Sequence, residues 1–176
     1  KMENIILGLL MLQSRTIYRL RKRINEGLGL MYSCSTGSIQ AAIKKLLRNG
    51  YITVSEAAEN GKQKKLYSIT EGKAYFNVWL NSPVEIGAAK NPELSKIYFL
   101  GFADKNARIK LLEGYIAGLK QMCADLEKIC DEGAALSGEN KGNDIFYYQL
   151  QTAAYGRDLM KFNTEWYKRL LNNIKE

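Results

Sequence analysis

The 176-residue sequence predicts a mainly α fold with one small β-hairpin, split into a basic N-terminal domain (residues 1–82) and a neutral helical domain (residues 83–176). Three observations predict it. Charge is lopsided: residues 1–82 hold 13 Lys and Arg against five Asp and Glu, whereas residues 83–176 hold 13 of each, so the net charge of +8 lies in the first part. Apolar residues recur at helical spacing along most of the chain, with strand-like alternation only around Asn60-Gly61. The last third carries two long helical patterns, one of them a sustained a/d repeat. A basic module joined to a neutral one points to polyanion binding by the first and a separate task for the second.

The elements follow in order. Asn4 to Gln13 is strongly apolar and reads as a buried first helix. Thr16 is the expected N-cap of a second helix running to about Glu26, where Ile17, Leu20 and Ile24 form the inner face and Arg19, Arg21, Lys22 and Arg23 the outer one. Gly27 and Gly29 stop it. A third helix begins near Ser35-Thr36-Gly37 and ends at Asn49-Gly50, a left-handed cap position. Its inner stripe is Ile39, Ile43, Leu46 and Leu47. The opposite face is small at the start (Gly37, Ala41), polar on its flanks (Ser38, Gln40) and cationic further along (Lys44, Lys45, Arg48).

Tyr51 to Val54 and Lys65 to Ile69 read as paired strands, joined through the Asn60-Gly61 hairpin signal. Lys62, Gln63, Lys64 and Lys65 crowd the tip and its returning arm. Thr70 and Glu71 open a fourth helix that stops before Pro83. Helix, helix, helix, hairpin is the order of a winged helix-turn-helix, a scaffold that lays its third helix in a DNA major groove. On that scaffold the small and polar residues Thr36, Gly37, Ser38, Gln40 and Ala41 meet bases and backbone. Lys44 and Lys45 on the same helix, Arg15, Tyr18 and Arg19 near the second helix, and Lys62, Gln63, Lys64 and Lys65 on the wing hold phosphates.

In the second domain, Asp104 to about Glu132 is helical, with Ile109, Leu112, Ile116, Leu119, Cys123, Leu126 and Cys130 as its a/d row. Ser137 to Asn143 is a loop by composition. The last helix, about Asp144 to Asn173, carries two apolar rows. One is Phe146, Leu150, Ala153, Met160, Tyr167, Leu171 and Ile174; the other is Tyr155, Leu159, Phe162, Trp166 and Leu170. Together they cover about half the circumference, more than one packing partner covers. One row is therefore expected inside the chain's own domain and the other against a second subunit, a coiled-coil-like homodimer with Leu112, Ile116, Leu119, Tyr155, Leu159, Phe162, Trp166 and Leu170 at the interface. A compact monomer burying both rows is the alternative.

Several classes are excluded. Histidine is absent, and no carboxylate pair, nucleophile elbow or glycine-rich phosphate loop replaces it, so no enzyme, metal site or cofactor is expected. The three cysteines form no CxxC pair; Cys123 and Cys130 read as small core residues rather than a redox switch. No apolar run reaches the ~18 residues of a membrane span. The longest, Ile5 to Leu12, follows acidic Glu3 and is no secretory signal, so the chain is read as cytoplasmic.

The stretch GSIQAAIKKLLRNGYI, Gly37 to Ile52, resembles the recognition-helix signature of PadR-type transcriptional regulators, usually close to GTLYPALKRLEEEGLI. Ile6 to Leu10 resembles the opening helix of that family, Tyr18-Arg19-Leu20 with Arg23-Ile24 its YELxxRI helix, and Lys65 to Gly72 its wing-closing KYYxLTExG. The resemblance covers roughly residues 4–80. It implies a dimer formed by the C-terminal helices, a double-stranded DNA operator read as an inverted repeat, and repression relieved by a small, often aromatic, effector. Gln40 and Ala41 depart from the family's usual Tyr and Pro, so the operator sequence is not carried over. Tyr98, Phe99, Phe102, Tyr147 and Tyr148 are the aromatics near the junction that would line an effector pocket, although aromatics at helical spacing are more commonly core; no effector residue is assigned. The competing function is a protein-interaction adaptor that keeps the scaffold without specific DNA binding.

Overall fold

The computed structural model describes residues 2–27, 35–59, 62–83 and 92–176. The chain divides into two compact units, Lys1–Ile86 and Gly87–Glu176. The first contains α1 (Met2–Leu12), α2 (Ile17–Gly27), α3 (Thr36–Arg48), an antiparallel hairpin of β1 (Ile52–Glu59) and β2 (Lys62–Ile69), and α4 (Gly72–Leu80). This is a winged helix-turn-helix. The expected helix periodicity is seen in its core: Ile6, Leu7 and Leu10 from α1, Leu20 and Ile24 from α2, Ile39, Ile43 and Leu46 from α3, and Ile52 and Tyr67 from the hairpin are all buried together. Each fully buried Leu or Ile contributes about 1.5–3 kcal/mol.

Local chemistry sets the ends of these elements. Thr16 Oγ1 accepts from the Arg19 amide at 3.3 Å at the start of α2. Ser35 Oγ accepts from the Ser38 amide at 3.1 Å at the start of α3. At the other end Gly50 has φ +69°, its amide donates to Leu47, and the Tyr51 amide donates to Leu46, the paired bonds of a Schellman turn. That turn aims the chain into β1. The wing is closed back onto it: Thr70 Oγ1 donates to the Gly50 carbonyl at 2.8 Å, and the Thr70 and Gly72 amides both donate to Tyr51 O. A Cβ at Gly72 would lie 2.5 Å from that same oxygen, so only glycine fits.

The hairpin is longer than the sequence predicts. Ser55 to Ala57 and Lys62 to Lys64 have weak strand propensity, but the register carries pairing out to Glu59↔Lys62. The expected turn residues Asn60 and Gly61, like Gly29 and Cys34, lie outside the described residues. Arg15 adds a single rung beside β2, exchanging backbone hydrogen bonds with Tyr67 at 3.0 Å each.

The second unit contains α5 (Pro92–Tyr98), a 3-10 turn (Leu100–Phe102), α6 (Lys105–Ala135) and α7 (Asp144–Lys175). The sequence reading assigned no element to α5; it opens at Pro92, whose fixed φ suits a first helical position. Asp104 and Asn143 cap the two long helices, accepting from the Ala107 and Phe146 amides. The long helices run antiparallel: Lys161 pairs with Glu127 and Lys175 with Glu113, each at 2.7 Å. At Gly133 a Cβ would collide with Leu150, so this glycine lets the helices approach closely. No helix among the described residues is long and apolar enough to cross a membrane.

Candidate nucleic-acid interface

Burial divides α3 as its periodicity predicts. Ile39, Ala42, Ile43 and Leu46 are buried, whereas Thr36, Gly37, Ser38, Gln40, Ala41, Lys44, Lys45 and Arg48 are exposed. The outward face is therefore a strip of small and polar residues that turns cationic along the helix. Gln40 has no hydrogen-bond partner among the described residues and keeps its amide available for a base edge. Ser38 is less available, because its hydroxyl donates to the Ser35 carbonyl at 2.8 Å.

α2 contributes Tyr18 and Arg19, both exposed. Arg21 Nη1 donates to Thr36 Oγ1 at 3.2 Å, tying the outer side of α2 to the first turn of α3. Arg15 is half-buried, with Nε donating to the Leu9 carbonyl at 3.4 Å. Burial, then the neighbouring charges of Arg23 and Arg19, hold its guanidinium below the usual arginine range, although it stays charged. Three arginines thus share one neighbourhood, a repulsion that a bound polyanion relieves.

Two expectations change. Lys45, expected on phosphate, is held at 2.9 Å by Glu3 of α1. The hydrogen bond to Lys45 holds the Glu3 carboxyl below its ordinary value, and Glu3 in turn raises the Lys45 ammonium. Much of the Lys45 charge is therefore spent inside the protein. On the wing, Gln63, Lys64 and Lys65 are exposed. The register sets Glu56 opposite Lys65, Glu59 opposite Lys62 and Ala57 opposite Lys64. The two strands carry three Lys against two Glu, so the wing is far less positive than its returning arm alone. The signal was present: a two-residue turn at Asn60-Gly61 determines these pairs.

A separate correction concerns the second unit. Leu112, Ile116 and Leu119, expected at a subunit interface, are 0, 6 and 4% exposed, packed in a core with Met160, Tyr167 and Leu171 of α7. The a/d row of α6 faces the chain's own α7 because the eight-residue connection, 136–143, folds the pair into an antiparallel hairpin. Tyr155, Leu159 and Phe162 are exposed, and Trp166 and Leu170 are partly buried against that core. Tyr98, Phe99, Phe102, Tyr147 and Tyr148 are exposed rather than core. Cys130 is buried and Cys123 half-buried, both as free thiols.

Comparison with known proteins agrees with this geometry. Residues 6–77 match the profile of the Transcriptional regulator PadR-like family. The Negative transcriptional regulator PadR of Bacillus subtilis is 26% identical over 177 residues, covering 96% of this chain and 94% of that protein. The crystal structure of Bacillus subtilis PadR in complex with operator DNA superposes with a TM-score of 0.82 at 24% identity, covering 98% of each chain. The same protein in complex with p-coumaric acid gives a TM-score of 0.72 at 23% identity over 99% of this chain and 98% of that one. The winged helix, its wing-closing turn and the helical second unit thus recur together, and the chain belongs to the PadR-like family of transcriptional regulators.

Proposed function

We propose that this regulator is a homodimeric, sequence-specific DNA-binding repressor, acting in the cytoplasm and released from its operator by a small, aromatic effector. Residues 1–82 bind DNA; residues 83–176 form the dimer and sense the effector. The observation that carries the reading is the exposed outer face of α3, polar at Gln40 and cationic at Lys44 and Arg48, beside the arginines of α2. In this reading Thr36, Gly37, Ser38, Gln40 and Ala41 enter the major groove, with Gln40 reading a base edge. Lys44, Arg15, Tyr18, Arg19, Gln63, Lys64 and Lys65 contact the backbone. Lys45 orients α3 through Glu3 before it contacts phosphate. The similarity to a negative regulator with an operator complex supports the same direction of control.

Two copies place two α3 helices on half-sites about 34 Å apart. Tyr155, Leu159 and Phe162 supply the uncovered apolar face for that dimer, with Trp166 and Leu170 at its edge. Selection from a random duplex pool with the purified full chain tests the proposal. The expected product is an enriched inverted repeat bound by two protomers. Recovery of unenriched sequences would contradict it. The adaptor reading draws on one observation, the acidic residues Glu56 and Glu59 facing wing lysines across the hairpin. It predicts no salt-dependent duplex affinity in the same samples.

A further inference from the structure

A cavity of about 570 Å³ opens in the second unit between α5, α6 and α7. That volume is within the range of small-molecule sites. Tyr167 lines it and is only 3% exposed, yet its hydroxyl is buried with no hydrogen-bond partner among the described residues. Buried hydroxyls in folded proteins are ordinarily satisfied, so this one marks a place where a partner belongs. Tyr115 also lines the cavity and meets Tyr167 edge to face, ring centres 4.7 Å apart. Glu93 of α5 is the third member. Burial, then the Glu93 charge and the neighbouring Tyr167, push the Tyr115 hydroxyl up to about 12, and Tyr115 donates to that carboxylate. Burial and Glu93 also raise Tyr167. Both phenols therefore keep their protons, and a carboxylate acceptor lies close to an unsatisfied hydroxyl.

The rest of the lining sets the ligand's charge. Lys96 and Lys110 border the cavity, and neither is in an ion pair among the described residues. Two ammonium groups against one carboxylate disfavour a cation. The remaining walls are apolar, and at Gly114 an added Cβ would find open space, so one wall is a missing side chain.

We propose that this cavity binds a small organic acid with an apolar body and a hydroxyl group, the anion taken by Lys96 and Lys110 and the hydroxyl by Glu93 and Tyr167. The inference rests on the regulator reading and gives its effector a site. α5 is the first described helix after residues 84–91, which follow the DNA-binding unit. A ligand that ties Glu93 and Lys96 of α5 to Tyr167 of α7 favours one placement of α5, which is how differential binding shifts a population.

Trp166 reports on the site, because its ring packs against Tyr167 with centres 4.8 Å apart. In the full chain carrying Trp79→Phe it is the only tryptophan. Titration with 4-hydroxybenzoate should change its emission saturably, with affinity at least about tenfold above benzoate or phenol, each of which lacks one group. Glu93→Gln and Tyr167→Phe should each remove about tenfold for 4-hydroxybenzoate and little for benzoate. Gly114→Leu should abolish binding of all three while circular dichroism is unchanged. No saturable change up to about 10 mM, a Kd too weak for a built site, would overturn the proposal. So would equal affinity for the three probes, or variants that bind as the parent does. Duplex affinity is measured on the same samples without ligand. If it is intact while the titrations fail, only the cavity assignment falls; if it is absent, the regulator reading falls whatever the titrations give.

Discussion

On α3 the uncovered residues are Gly37, Ser38, Gln40, Ala41, Lys44 and Arg48; on α7 they include Tyr155, Leu159 and Phe162. Both helices bury one face in their own unit, and the other face of each is exposed. The chemistry left outside differs. α3 presents hydrogen-bonding groups and cations that lose little by staying hydrated and gain by meeting phosphates. α7 presents rings and aliphatic chains, with Phe162 62% exposed, whose exposure is unfavourable until another apolar surface covers them. Amphipathicity alone locates the buried side. The function is read from what the outer side is made of, and the two outer sides together describe a paired reader of a duplex.

Substitutions can break this comparison, beginning with the largest effect. Phe162→Glu places an unpaired charge on each side of a two-fold interface, a cost of about 3–5 kcal/mol per buried charge. The expected outcome is a folded monomer by sedimentation, with duplex affinity down at least about a hundredfold as avidity is lost. Leu112→Ala sharpens the corrected assignment. Because Leu112 is fully buried against α7, it should lose about 2–5 kcal/mol of stability in urea unfolding, where an interface residue would alter oligomeric state.

On the other helix, Gln40→Ala should cost about 1–3 kcal/mol on the selected operator and nothing on random duplex, measured by competitive anisotropy. Lys44→Ala should weaken all duplexes alike and lower the salt slope by about 0.9, with a smaller change for Lys45→Ala because Glu3 already engages that charge. The smallest effect is acid-dependent. The folded Glu3 carboxyl lies below its ordinary value of 4.5, so its contribution is complete above that value and is lost as pH falls through the depressed one. Thermal melts of Glu3→Gln and the parent should therefore differ at neutral pH and converge in acid.

What sequence made legible follows from how local each cause is. The ends of α3 were readable because Ser35 and Gly50 act on backbone groups within three or four residues. The core stripe of every helix in the first unit was readable because 3.6-residue periodicity is a one-dimensional signal. The wing's muted charge needed the hairpin register, which brings Glu56 to Lys65, and one arm read alone overstates it. The Glu3–Lys45 pair spans 42 positions and has no local signature. The a/d row of α6 announced a packing seam without naming the partner. A short connection made α7 that partner and left only the second row of α7 for another chain. The cavity residues were overlooked for a similar reason: Glu93, Tyr115 and Tyr167 come from three helices, whereas the aromatics clustered in sequence at 98–102 and 147–148 are exposed.

The central claim is that one face of the first unit grips a duplex through its cations, and the salt dependence of duplex affinity tests it most directly. Fluorescence anisotropy on the full chain should show log Kd rising steeply with log salt, a loss of about 10³-fold or more between 50 and 200 mM. The double variant Lys44→Ala, Lys64→Ala should be shallower by about two. A slope near zero in the parent, or one unmoved in the double variant, would contradict the account.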